Sequence, residues 1–137
     1  MLEEWRIERK KIEDSRSDLR RRDLSYAKLM KADLRKADLS EADLSFSYLM
    51  QADLSEANLA GANLTYAVIS EANLQGADME EADLSEAFLH GADMSGAINL
   101  TAAQIEEAYI DRDTILPEYI EITWTSENAF TCTEIKG

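Results

Sequence analysis

AKLMK ADLRK ADLSE ADLSF SYLMQ ADLSE ANLAG ANLTY AVISE ANLQG ADMEE ADLSE AFLHG ADMSG, residues 27–96, decides the fold. Every fifth residue is Leu, Ile or Met, from Leu29 through Leu54, Ile69 and Met79 to Met94. Two residues before each stands Ala, with Ser47 the one exception, and the residue between is usually Asp or Asn. A period of five suits neither simple element. On an α-helix each step of five turns the side chain by about 140°, so the Leu residues would spiral around every face. On a straight strand an odd step sends alternate Leu to opposite faces. Within one unit, however, Ala and Leu are two apart, which is strand parity. Each unit therefore reads as a short extended piece with Ala and Leu inward, then a corner that resets the face. Strand plus corner, repeated, makes a coil.

Residues 27–96 resemble the pentapeptide-repeat family, whose pattern is A-(D/N)-L-x-x, in unbroken register. The resemblance implies an all-β solenoid, a right-handed quadrilateral β-helix with four pentapeptides per coil. Three sets of residues spaced by 20 support a coil of that length: Tyr26, Phe46 and Tyr66; Tyr48, Val68 and Phe88; and Met30 with Met50. About four coils stacked at the usual strand spacing make a rod roughly 20 Å long.

The expected organisation is one structural domain in three parts. Residues 1–16 form an N-terminal helical cap, with Leu2, Trp5 and Ile12 near helical spacing and Trp5 packing on the open end. Residues 17–98 form the β-helix. Its first units, SDLRR and RDLSY, carry Ser17 and Arg22 where Ala is due, so Arg22 must point outward or distort the first coil. Residues 99–137 form a C-terminal helix and a strand-like tail. Thr101 is the N-cap and Gln104 completes a capping box, with Leu100 and Ile105 placed as a hydrophobic staple. Ile105, Ala108 and Tyr109 make the apolar face of that helix, which is expected to end near Ile110 or Asp111. YIEITWT alternates and reads as a strand, and the last ten residues are weakly patterned.

Charge is distributed unevenly. The net charge is −14, yet residues 1–36 hold 12 Lys and Arg against 8 Asp and Glu, a net of +4. The remainder nets −18, so the rod should be electrically polar from end to end. The single Cys132 leaves no partner for an intramolecular disulfide, and no apolar run is long enough to span a membrane. The reading is a soluble, cytoplasmic protein.

No catalytic residue, cofactor site or metal site emerges. His90 is the only His, so a Ser-His-Asp or His-based metal constellation lacks its parts, and it is expected to stand solvated at an outward position. Gly61, Gly76, Gly91 and Gly96 fall at repeat corners and form no phosphate loop. Two surfaces are candidates for binding. The apolar ladder of Tyr26, Phe46, Tyr48, Tyr66, Val68 and Phe88, with Met30 and Met50 beside it, should face outward along one edge and mark a protein interface, either with a second copy (a homodimer) or with another protein. Asp33, Asp43, Asp53, Asp83 and Asp93 form acidic ladders. Some members of the family are DNA mimics that bind type II topoisomerases, and the resemblance carries that alternative. Against it, Asp or Asn is the repeat's own residue at this position and suits turns. Direct nucleic-acid binding by Arg20, Arg21, Arg22, Lys28, Lys31, Arg35 and Lys36 is opposed by the acidic whole.

Overall fold

The structure is a computed structural model and describes residues 2–135. Its core is a coil with a turn of 20 residues. Parallel bridges join residues 20 apart along four columns: Asp23–Asp43–Asn63–Asp83, Lys28–Tyr48–Val68–Phe88, Asp33–Asp53–Asn73–Asp93 and Asp38–Asn58–Asp78. Each column is one side of the coil. We number the sides by the residues they turn inward: Leu19, Leu39, Leu59 and Met79 on the first; Leu24, Leu44, Leu64 and Leu84 on the second; Leu29, Leu49, Ile69 and Leu89 on the third; Leu34, Leu54, Leu74 and Met94 on the fourth. These residues are essentially buried, as are the Ala residues two places before them from Ala32 onward.

The repeat chemistry explains the shape. Within each unit the centre residue's N–H bonds the coil ahead, as from Leu29 to Tyr48 O at 2.8 Å. The N–H before it bonds the coil behind, as from Tyr48 to Ala27 O at 2.9 Å. The corner closes with a bond from the next unit's first N–H to the centre carbonyl, as from Ala32 to Leu29 O at 3.1 Å. That is a four-residue turn whose third residue needs a positive φ. Every fifth residue from Arg21 to Gly96 has one, between 55° and 71°. Gly fills four of these places at no steric cost, and Glu, Lys, Gln, Arg, Tyr and Phe fill the others because stacked coils hold them there.

Arg22 resolves by pointing outward. Its side chain is exposed, while its carbonyl still accepts from Asp43 N–H at 2.9 Å. Ser17, the other early departure, is exposed, whereas Ser47 in the second coil is fully buried and donates its hydroxyl to Leu44 O at 2.7 Å.

Helix α1 (Leu2–Asp14) lies at the start of the coil. Trp5 Nε1 donates to Lys28 O, Arg9 Nη1 to Met30 O at 2.9 Å, and Glu13 Oε2 accepts from Asp33 N–H at 2.7 Å. Those backbone groups belong to the first coil and have no coil behind them to bond. Ile12 is the buried anchor of the helix.

At the other end the coil continues for part of a fifth turn, through bridges from Asp78 to Ile98, Phe88 to Tyr109 and Asp93 to Ile115. Helix α2 (Ala102–Glu106) replaces one side of that turn, and the capping box of Thr101 and Gln104 is present. The helix stops four residues short of the expected Ile110. Tyr109 N–H bonds Ala87 O and Leu89 N–H bonds Tyr109 O, both at 2.8 Å, so the chain has rejoined the coil ladder by then. Tyr109 accordingly faces solvent rather than the helix's apolar side. Strand β1 (Ile120–Trp124) falls where alternation placed it. Within the weakly patterned C-terminal stretch, Phe130–Glu134 form a second strand, β2, antiparallel to β1 with Ile122 opposite Cys132, and residues 136–137 lie outside the described residues. Cys132 is buried there, and burial pushes its thiol up to about 11. Among the described residues no helix is long and apolar enough to cross a membrane.

A candidate protein-binding side

The third side differs from the other three in what it turns outward. Where they carry Asp or Asn in the first four coils, it carries Lys28, Tyr48, Val68 and Phe88, and the corner before it carries Tyr26, Phe46 and Tyr66. One coil spacing brings like residues into register. The Tyr26, Phe46 and Tyr66 rings stack with centroids 5.0 Å apart and planes 4° from parallel. Stacking of this kind stabilises by about 0.5–1.5 kcal/mol per pair beyond the area it buries. It does not remove the rings from water: Tyr26 is 64% exposed, Phe46 41%, Tyr66 47% and Tyr48 39%. Val68, Phe88, Met30 and Met50 are half-buried beside them.

Among the described residues, neither α1 nor the β1–β2 hairpin covers this surface. Helix α1 reaches only its first rung, where Trp5, Tyr26 and Met30 line an open groove. The β1–β2 hairpin stays at the far end, where Trp124 and Phe130 lie near His90 and Arg112 stacks over the Trp124 ring at 4.5 Å. His90 is half-buried beside Phe88, not freely solvated. Tyr109, which the sequence reading gave to a helix face, extends the apolar column by one rung. Its ring stacks on Phe88 at 5.1 Å and its hydroxyl donates to Glu86. Its spacing of 21 from Phe88, one off the repeat, hid it.

The acidic candidates form two separate columns, as their spacing predicts, and not one surface. Asp43 and Asp83 lie on the second side, and Asp33, Asp53 and Asp93 on the fourth, across the core. Each is engaged with its own turn. Asp43, Asp53 and Asp93 accept from the backbone N–H and hydroxyl of the Ser two places on, at 2.6–3.0 Å, and Asp83 accepts the Ser85 N–H at 3.0 Å. Asp33 is paired with Arg35 at 2.8 Å, which holds its carboxyl well below the usual carboxylate range. Asp93 is lowered too, chiefly by the Ser95 hydroxyl. Asn63 and Asn58 take the same bonds at 3.0 Å, so the position calls for an acceptor rather than a charge. Among the described residues no group of three or more His, Cys, Asp or Glu is placed to hold a metal ion.

The pentapeptide-repeat model matches in eight copies over residues 17–55, 42–80 and 62–98. The chain belongs to the pentapeptide-repeat family. With membership comes the fold: a right-handed quadrilateral β-helix. Among solved structures, the chain is similar to HetL, a pentapeptide-repeat protein involved in heterocyst differentiation regulation from Nostoc sp. strain PCC 7120, at 31% identity over 69% of this chain and 51% of HetL, with a TM-score of 0.33. It is also similar to the pentapeptide-repeat protein alr5209 from Nostoc, at 27% identity over 82% of this chain and 84% of that one, with a TM-score of 0.30. QnrB1, a plasmid-mediated fluoroquinolone resistance protein, matches at 18% identity over 64% of this chain and 49% of its own, with a TM-score of 0.39. The chain spans about half the length of HetL and of QnrB1. No curated protein matches it.

Proposed function

We propose that this pentapeptide-repeat protein is a non-enzymatic interaction module that binds protein through its third side. The observation that carries this reading is the stacked, solvent-open column of Tyr26, Phe46 and Tyr66 with Tyr48 beside it. A contiguous apolar patch on an otherwise charged surface is the usual mark of an interface, and aromatic residues are enriched in interface cores. The coil makes the patch rigid, so little ordering entropy opposes binding. In this reading α1 and the α2–hairpin segment close the two ends of the coil against edge pairing. The single Cys132 fits a cytoplasmic location. The alternative, an acidic mimic of DNA acting on a type II topoisomerase, has less support, because the Asp columns lie on opposite sides and serve their own turns.

The test is a photo-crosslinking amino acid placed at Phe46 and, separately, at Glu80 on the opposite first side, in cells that make the protein. Protein adducts concentrated at Phe46 support the reading. Equal adducts at both places, or none at Phe46, end it. Inhibition of gyrase supercoiling by the purified protein would favour the alternative instead.

A further inference from the structure

We propose that the third side binds a second copy of this chain, antiparallel, across a two-fold axis midway along the coil. This rests on the reading of that side as a protein-binding surface and names its occupant.

The argument is self-complementarity. Along the third side, charge changes sign from one end to the other. Lys28 and Lys31 are exposed at the first coil and Glu71 at the third, and Glu86 is half-buried at the fourth, where its carboxylate accepts the Tyr109 hydroxyl. Between them lie the apolar rungs of Phe46, Tyr48, Tyr66 and Val68. A two-fold axis in the plane of this surface, perpendicular to the rod and between the second and third coils, reverses the rod while keeping each edge on its own edge. It sets Phe46 against Tyr66 of the second copy and Tyr48 against Val68 of the second copy. It also brings Lys28 beside Glu86 of the second copy, twice by symmetry. A parallel pair, about an axis along the rod, would set Lys28 against Lys28 and exchange the two edges, leaving Glu86 opposite Gly91 of the second copy with no cation beside it.

The whole molecule points the same way. Residues 1–36 net +4 and the rest −18, so two copies side by side repel least when each basic end lies along the other's acidic end. From the Lys28 rung to the Tyr109 rung the surface is only about 20 Å long, less than the roughly 800 Å² per partner of a standard interface would need. The dimer is therefore weak, and charge sets its register.

The experiment is sedimentation equilibrium from about 10 µM to about 1 mM, the range in which so small an interface populates. It compares wild type, Phe46→Lys, Lys28→Glu, Glu86→Lys and the double swap of Lys28→Glu with Glu86→Lys. Circular dichroism and thermal melting check that each variant is folded. Glu86→Gln is included because it keeps an acceptor for the Tyr109 hydroxyl while removing the charge. The expected result is a wild-type dimer that Phe46→Lys dissociates. Each single swap raises its dissociation constant about tenfold, Glu86→Gln about threefold, and the double swap restores it to within about twofold. A wild-type monomer throughout the range overturns the proposal, as does a dimer indifferent to Phe46→Lys, or a double swap weaker than either single one. In the monomer case, adducts at Phe46 carrying a different protein would leave the interaction reading standing while the second copy falls. Absence of adducts there would remove both.

Discussion

At the scale of single residues, the repeat assigns each place a physical task. The Asp or Asn before the buried centre accepts the N–H that the corner leaves free, and where Ser follows it usually takes the hydroxyl as well. This gives Asp93 a measurable signature. Replacing it with Ala should cost about 1–2 kcal/mol in urea unfolding at pH 7, because the Ser95 N–H loses its partner. Replacing it with Asn should cost much less, since Asn73 and Asn63 already do the same work and only the Gln75 contact is lost. The acid limb separates the two residues further. The folded-state value for Asp93 lies below its ordinary 3.8, so its ionised form stabilises the fold fully above that value. That contribution disappears as pH falls below about 4, through the lowered folded value. The stability gap between wild type and Asp93→Asn should therefore narrow between pH 5 and pH 2, and a gap that widened there would contradict this assignment.

Among the elements, α2 shows how local and long-range demands divide a stretch of chain. The capping box of Thr101 and Gln104 starts the helix as the sequence indicated, but the Gln104 amide also donates to Met79 O at 2.8 Å and Ala82 O at 2.9 Å. Those carbonyls belong to the fourth coil. Gln104→Ala should therefore destabilise by about 1–3 kcal/mol, more than an isolated helix cap would, and calorimetric melting would read it. The same double demand marks where sequence reading succeeded and failed. The inward Leu register was legible because each unit repeats the same strand parity. Thr101, Gln104 and β1 were legible because caps and alternation are local signals. The end of α2 was not, because the Ala87 and Leu89 backbone of the preceding coil claims Tyr109. The strand β2 was not, because its only inward apolar residues are Phe130 and Cys132, and its order comes from pairing with β1. At the candidate site, the columns of Tyr26 and Tyr48 were legible from the spacing of 20, whereas the rung added by Tyr109 followed an irregular fifth turn. The separation of the acidic columns onto different sides was legible from the same spacing, since Asp43 and Asp83 share one phase of 20 and Asp33, Asp53 and Asp93 another.

Considered as a whole, the molecule is a stack in which each coil bonds mainly the one before and the one after, so stability is nearly one-dimensional. Damage at one end should stay there. Trp5→Ala removes the donor to Lys28 O, and hydrogen exchange should accelerate about tenfold at Leu24 and Leu29 while Leu64 and Ile69 keep wild-type protection. Uniform acceleration along the rod would mean that the stack melts as one unit. The four-sided turn also gives sequence length a phase. Adding 20 residues at a corner such as Gly76 would lengthen the rod and return every later side chain to its own side. Adding five would satisfy the same local rules, yet rotate everything beyond by a quarter turn. Phe88 and Tyr109 would then leave the column of Tyr48 and Val68. The fold counts its residues in fives, but its surface counts them in twenties.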